Sequence, residues 1–403
     1  MIRGSTISFE RMKRLVIDTV NYIDYPMGGI LSYYRTMLPP CGNDLILVGV
    51  STDDNIPVGQ WSKRFINGTE YDFFAMARVK PSSGRPLIPG RITASYILFK
   101  NMKKVLNTAP PYDYIFTQSP EVLSHIPNSL LSKTCFVSAG MGNPLAISRY
   151  PWARLLAKIY DKYYHMPKVS KVRWHLAAAD YKSMVEFAER SNGLVKVDDI
   201  ISFPTRYNDN YFKVLPQNEC RRQLGIGDQT TMFVTVGRLN WFKGWKLMID
   251  AFNNIAKKKE NNVLYFIGDG EEKDKIKDYA KELGIDNKVV LVGKRAPAEI
   301  VTYLNAANVF IMGSFEEGWS TTLVEACACG VPCVVTDFSG ARDMIADGQN
   351  GYVVSTRNPE LFASRMSSAL DLDRIKVQQY DKRFAYLAQS KIKEELEKII
   401  STK

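Results

Sequence analysis

The feature that most restricts this chain is a unit repeated along it: a short apolar run, a turn, then a segment of helical length. In the second half the runs are Thr231–Val236, Val263–Ile267, Val289–Val292, Val309–Met312 and Cys333–Thr336. The first three are followed by Gly237, by Gly268-Asp269-Gly270 and by Gly293. Apolar runs with little polar alternation read as strands buried on both faces. Alternating with helices, they build a parallel sheet covered on both sides. The first half repeats the pattern with Leu15–Ile17, Leu45–Val50, the 71–79 region, Tyr114–Thr117 and Thr134–Ser138 as strands. Ile30–Leu38 and Arg91–Leu106 read as helices between them. The expected class is α/β, as two doubly wound domains.

A length of 403 residues exceeds one ordinary core and calls for two domains of about 200 residues each. We place the first at 12–205 and the second at 206–375, with a polar linker at Thr205–Asn210. Residues 376–403 read as a helical tail that packs back on the first domain. With 45% hydrophobic and 24% charged residues the chain is globular rather than disordered or fibrous. No apolar run reaches the roughly 18–20 residues that span a bilayer. Residues 1–11 are polar and lack the apolar stretch of a secretory leader. Six cysteines without a paired framework fit a reducing compartment, so a cytoplasmic protein is expected.

The stretch Phe315–Pro332 carries the most chemistry. Glu317 and Glu325 stand with seven residues between them, joined by a small, hydroxyl-rich turn (Gly318, Trp319, Ser320, Thr321, Thr322). One carboxylate on a loop and one on the following helix flank a helix start. Such a start favours anions, and carboxylates accept hydrogen bonds from sugar hydroxyls. The spacing Thr322 to Glu325 also fits a helix capping box, which is the plain alternative for Glu325. Cys327, Cys329 and Cys333 lie close by but offer no metal-ligand spacing with a histidine. A strand-to-helix turn at Gly28-Gly29 would let backbone N–H groups approach a phosphate.

Taken together, these motifs resemble the nucleotide-sugar domain of retaining GT-B glycosyltransferases, in particular the large family 4 group. The resemblance rests on Gly237-Arg238-Leu239 with Lys243-Gly244, on Gly268 and Gly270, and on Glu317-Gly318 through Glu325-Ala326 with Gly330-Val331-Pro332. It implies two Rossmann-like domains facing across a cleft, an N-terminal acceptor domain and a C-terminal donor domain. It also implies a hexose-type sugar moved from a nucleotide-diphosphate donor to a saccharide hydroxyl with retention. Arg238 and Lys243 would hold the donor diphosphate, where two fixed cations stabilise the departing charge without a metal or other cofactor. Glu317 would meet the transferred sugar and Glu325 the ribose hydroxyls. The Gly318–Thr322 loop would meet diphosphate and sugar. Lys294 and Arg295 would lie near the base, and Gly28, Gly29, Gly237, Gly268 and Gly270 near the phosphates. In the first half the family's mid-domain histidine is missing, the equivalent place reading Ser138-Ala139-Gly140.

Charge is uneven. Residues 1–205 hold 25 Lys+Arg against 16 Asp+Glu, while residues 206–403 hold 28 against 26. A basic first half would suit an anionic partner such as a membrane surface or a lipid-linked saccharide acceptor. Residues 149–174 combine seven Lys/Arg with six Tyr/Trp, as a peripheral segment on the inner face of the plasma membrane would. The plain alternative is a helix whose aromatics pack inward. Two rival functions are a sugar-nucleotide epimerase on the same fold and a basic, non-catalytic nucleic-acid binder. The first needs acid–base residues of its own, and its family lacks the spaced glutamates present here; the second rests on charge alone.

Overall fold

The computed structural model describes residues 12–26, 29–80, 90–143, 145–146, 151–257 and 260–402. Gly28, residues 1–11 and the first two positions of the basic–aromatic segment lie outside them. The chain divides into two compact units, residues 1–203 with 392–403 and residues 204–391.

The first unit is built on eight strands: β1 (Arg14–Ile17), β2 (Leu45–Ser51), β3 (Trp61–Ile66), β4 (Thr69–Arg78), β5 (Tyr114–Thr117), β6 (Thr134–Ser138), β7 (Trp174–Ala177) and β8 (Ile200–Ser202). Their order is β3-β4-β2-β1-β5-β6-β7-β8, so the direction of winding reverses between β1 and β5. All neighbours are parallel except β3 and β4. That hairpin was not expected from the pattern of apolar runs, because β3 (WSKRFI) is half charged or polar. Its signal is Asn67-Gly68, a two-residue turn with both φ values positive, +48° and +80°. The basic–aromatic segment also divides: a helical run over 151–169, with a π turn at Asp161–His165, precedes β7. Apolar residues fill both faces of the sheet, Leu15, Ile17 and Val48 on one and Val16, Leu47 and Phe116 on the other.

The helix Ile392–Thr402 belongs to this unit. Ile392, Leu396 and Ile400, one stripe at helical spacing, join the second of these cores. Lys393 Nζ lies 2.6 Å from Asp44 Oδ2, and Glu397 Oε1 lies 3.6 Å from the buried Arg14 Nη2. The preceding helix, Arg374–Asp381, groups instead with the second unit, as do all residues to 391. Its start is capped by Asp373, whose carboxylate accepts from Ile375 N at 2.9 Å.

The second unit holds β9 (Thr231–Val236), β10 (Asn262–Ile267), β11 (Val289–Gly293), β12 (Val309–Met312), β13 (Cys333–Thr336) and β14 (Gly351–Val354). All pairs are parallel in the order β11-β10-β9-β12-β13-β14. Winding reverses between β9 and β12. In open parallel sheets the carboxyl ends of the strands at such a reversal form the crevice where ligands bind.

Candidate active site

The loops leaving β9 and β12 meet at that reversal. After Val236 the chain runs through Gly237, Arg238 and Leu239 into a single turn, Trp241–Lys243, capped by Asn240. The Asn240 carboxamide oxygen accepts from Lys243 N at 3.1 Å, and Gly244 opens the helix Trp245–Ala256. After β12 come Gly313 and Ser314, then Phe315 to Glu317. The two loops are tied by Phe315 N donating to Phe242 O at 2.9 Å. They approach so closely at Gly244 that an added Cβ would lie 1.7 Å from Gly313 O, and Gly244 also has φ +67°. Only glycine suits that position.

This approach brings Lys243 Nζ to 2.5 Å from Glu317 Oε1, although 74 residues separate them in sequence. Ser314 Oγ donates to the same oxygen at 2.6 Å, and Thr336 Oγ1 fixes Ser314 by donating to its carbonyl at 2.6 Å. Lys243 is 30% and Glu317 15% exposed at the side chain, so the pair is sheltered yet reachable. An ammonium has three N–H donors, so Lys243 keeps capacity for a second anionic partner. Arg238, 68% exposed, makes a long contact with Glu271 at 3.4 Å. Such a surface pair is weak and leaves the guanidinium able to turn to a ligand. Gly237, Arg238, Asn240, Lys243, Trp245 and Ser314 line one recess.

The helix Thr321–Ala328 starts beside Glu317 with Ser320 as its cap, Ser320 Oγ accepting from Leu323 N at 3.4 Å. The capping-box alternative for Glu325 therefore fails, since the cap is two residues earlier than Thr322 and Glu325 lies beyond the first turn. Among the described residues its carboxylate has no hydrogen-bond partner, and burial pushes it up to about 8. Thr321 and Thr322 are partly exposed at the helix start, where N–H groups lack helical acceptors. Trp319 points the other way: it is 8% exposed and packs where a Cβ on Gly340 would come within 2.7 Å of its ring.

The remaining expected residues are spread along the sheet edge. Gly268 and Gly270 carry β10 into its loop and are close-packed, a Cβ on either falling 1.9 Å from Gly237 O or 2.3 Å from Leu239 O. Their local role is to let the β9 and β10 loops touch. Lys294 and Arg295 follow β11, two strands from β9; Lys294 is exposed, and Arg295 pairs with Glu299 at 3.5 Å. They are not brought to the Lys243–Glu317 pair. In the first unit Gly29 opens the helix Gly29–Cys41. Just past β6, Ala139 and Gly140 are exposed, while Ser138 Oγ and His175 Nε2 share a hydrogen bond at 2.8 Å.

Two further residues carry no motif. Arg357 stacks its guanidinium 3.5 Å over the Phe315 ring and donates to Gly313 O at 2.9 Å and Ser314 O at 3.2 Å, holding the β12 loop. Asp18, at the carboxyl end of β1, accepts from Tyr34 Oη and Thr19 N, both at 2.9 Å, and burial pushes it up to about 7. An acid directly after an apolar run was the only sequence signal for Asp18, and Arg357 had none.

Comparison with known proteins points to the same fold. The family description Glycosyl transferases group 1 matches residues 216–390. Lipopolysaccharide 1,6-galactosyltransferase of Salmonella typhimurium is 38% identical over 127 residues, covering 31% of this chain and 35% of that protein. D-inositol 3-phosphate glycosyltransferase of Corynebacterium glutamicum is 29% identical over 163 residues, covering 39% of each. The matches thus span little more than a third of these relatives' length. Among solved structures, sucrose-phosphate synthase from Thermosynechococcus elongatus superposes with a TM-score of 0.73 at 15% identity, covering 97% of both chains. Anabaena HepE in complex with UDP-glucose gives 0.68 at 17% identity, covering 97% of this chain and 100% of that one. Residues 216–390 thus match the glycosyl transferases group 1 family, and the chain's two doubly wound α/β units have the GT-B fold.

Proposed function

We propose that this protein is a retaining glycosyltransferase that moves a hexose-type sugar from a nucleotide-diphosphate donor to a hydroxyl of a saccharide acceptor. The observation that carries the reading is the Lys243–Glu317 pair at the β9/β12 reversal, inside the matched family region. In the proposed reaction the bond from the sugar's anomeric carbon to the donor phosphate breaks, and the electron pair leaves with the nucleoside diphosphate. Lys243 and Arg238 stabilise that charge as it develops, which makes a metal ion unnecessary. The acceptor oxygen bonds to the anomeric carbon on the face the phosphate leaves, and a donor phosphate oxygen takes its proton. Glu317 orients the sugar through its hydroxyls, the Gly318–Thr322 turn binds diphosphate and sugar, and Glu325 accepts from the ribose hydroxyls.

The names of the relatives support a role in cell-surface polysaccharide or glycolipid assembly, and a lipid-linked saccharide is our reading of the acceptor. The test is thermal unfolding with UDP-, GDP- and ADP-sugars. One donor should stabilise the protein by RT ln(1 + [L]/Kd), and Lys243→Ala should remove that shift. No stabilisation by any nucleotide sugar would end this reading. NMR of the product anomer tests retention, and unchanged turnover in a chelator tests independence from metal.

A further inference from the structure

Large apolar side chains exposed to solvent are concentrated in two segments of the first unit. Helix 90–108 exposes Ile92, Tyr96 and Phe99, at 47%, 56% and 76%. The 151–169 run exposes Trp152, Leu155, Leu156, Ile159, Tyr163 and Tyr164, with Leu155 at 82%. In both, the apolar exposed residues recur at helical spacing (92, 96, 99 and 152, 155, 159, 163), so each helix has an outward apolar stripe. A separate inward stripe packs on the sheet: Leu98, Met102 and Val105 from one helix, Met166 and Val169 from the other.

The two stripes face the same way. Both helices cover the same face of the sheet, and the short helix Pro120–His125 packs against both. Arg91 Nη1 lies 2.8 Å from Glu121 Oε1 on one side of it, and Lys168 Nζ donates to Ile126 O at 2.5 Å on the other. The same surface is basic. Residues 90–108 contain Arg91, Lys100, Lys103 and Lys104 and no acidic residue. Residues 151–169 contain Arg154, Lys158, Lys162 and Lys168, and their one acid, Asp161, is buried against Arg190 at 3.0 Å.

Apolar stripes bordered by lysines, with tyrosines and a tryptophan among them, match the chemistry of a lipid interface. Rings and aliphatic chains enter the headgroup–acyl boundary while cations meet anionic headgroups. An aqueous protein surface would leave such stripes at a cost, and no helix among the described residues is long and apolar enough to cross a membrane. We infer that helix 90–108 and the 151–169 run together form a docking surface for an anionic membrane. The inference adds the first helix to the segment singled out from sequence, and it rests on the proposed function only for its purpose, presenting the enzyme to a lipid-linked acceptor.

The test is co-sedimentation of the full chain with phosphatidylcholine vesicles, with and without about one-third phosphatidylglycerol. Binding should be at least about tenfold tighter on the anionic vesicles and weaken with salt. Phe99→Ser/Leu155→Ser/Ile159→Ser should lower binding to anionic vesicles about tenfold or more. Lys100→Glu/Lys103→Glu/Lys158→Glu/Lys162→Glu should reduce it to the neutral-vesicle level. All seven residues are exposed, and nucleotide-sugar stabilisation of each variant checks that the donor site is intact. If that stabilisation persists while vesicle binding shows no anionic preference, or neither variant changes it, the docking surface is overturned and the proposed function stands. Binding of a single-stranded RNA oligonucleotide tighter than to vesicles, or a dimer in light scattering that both variants dissolve, would also overturn it.

Discussion

Lys243 Nζ and Glu317 Oε1 lie 2.5 Å apart, from loops that leave adjacent strands on either side of the point where the second sheet reverses its winding. The two groups thus hold each other in place, and Lys243 lines the recess. A donor diphosphate would take a second ammonium proton rather than a new position of the chain. Lys243→Ala should lower turnover by about 100-fold or more, the scale of losing one charge-stabilising donor. Glu317→Gln keeps the size but loses the charge. It should retain stabilisation by the bare nucleoside diphosphate and lose the extra stabilisation given by the sugar nucleotide. Equal shifts with both ligands in the wild type would remove Glu317 from the sugar.

Glu325 makes stability depend on pH in a defined direction. Its carboxyl titrates near 4.5 when exposed and at about 8 in the fold. The native state therefore keeps a proton that the unfolded chain loses, and stability falls as pH rises from 4.5 towards 8, then levels off. Glu325→Gln should match the wild type at pH 4.5 and unfold at least about 2 °C higher at pH 8. If the ribose hydroxyls need the carboxylate, donor affinity should rise with pH through the same range in the wild type and be flat and weaker in the variant. Calorimetric titration across pH measures both.

Gly244 separates steric contact from backbone preference. Gly225 has a similar φ, +68° against +67°, but nothing stands within 4 Å of a Cβ there. Gly225→Ala should cost about 1 kcal/mol, the backbone term alone. Gly244→Ala meets the Gly313 carbonyl as well and should cost about 3 kcal/mol or more in denaturant unfolding, or keep its stability by displacing the β12 loop with loss of turnover. Equal costs for the two would show that the loops part easily.

Arg357 should act as a positioning residue. It stacks on Phe315 and binds two carbonyls of the loop that carries Glu317, so Arg357→Ala should lower turnover about tenfold, with the nucleoside diphosphate still bound. Arg357→Lys should restore little, because a lysine cannot stack and fork at once. Recovery by lysine would mean that charge alone matters there.

Much of the fold was legible because buried parallel strands are written as continuous apolar runs: β5, β6, β9, β12 and β13 coincide with theirs. Legibility failed where the local signal was weak or of another kind. The β3 strand is polar enough to pass for a loop, and only the Asn67-Gly68 turn betrays the hairpin. The sequence left a capping box at Thr322 open as the alternative for Glu325, because hydroxyl residues at 320, 321 and 322 all suit a cap, and backbone geometry chooses Ser320.

What the sequence alone determined is the alternation, the parallel pairing of most strands in two sheets and the identity of the residues with chemistry at strand ends. Residue type and spacing act locally, through burial and backbone preference, and they can be read in order. What only the tertiary structure decided is which of those residues meet. Strand order puts β12 beside β9, so Lys243 joins Glu317 across 74 residues, while Lys294 and Arg295 stay two strands away. It also turned Trp319 inward against Gly340 and set two apolar stripes on one basic face of the first unit. Those outcomes depend on long-range packing, in which a side chain's neighbours come from segments that its own sequence context does not contain.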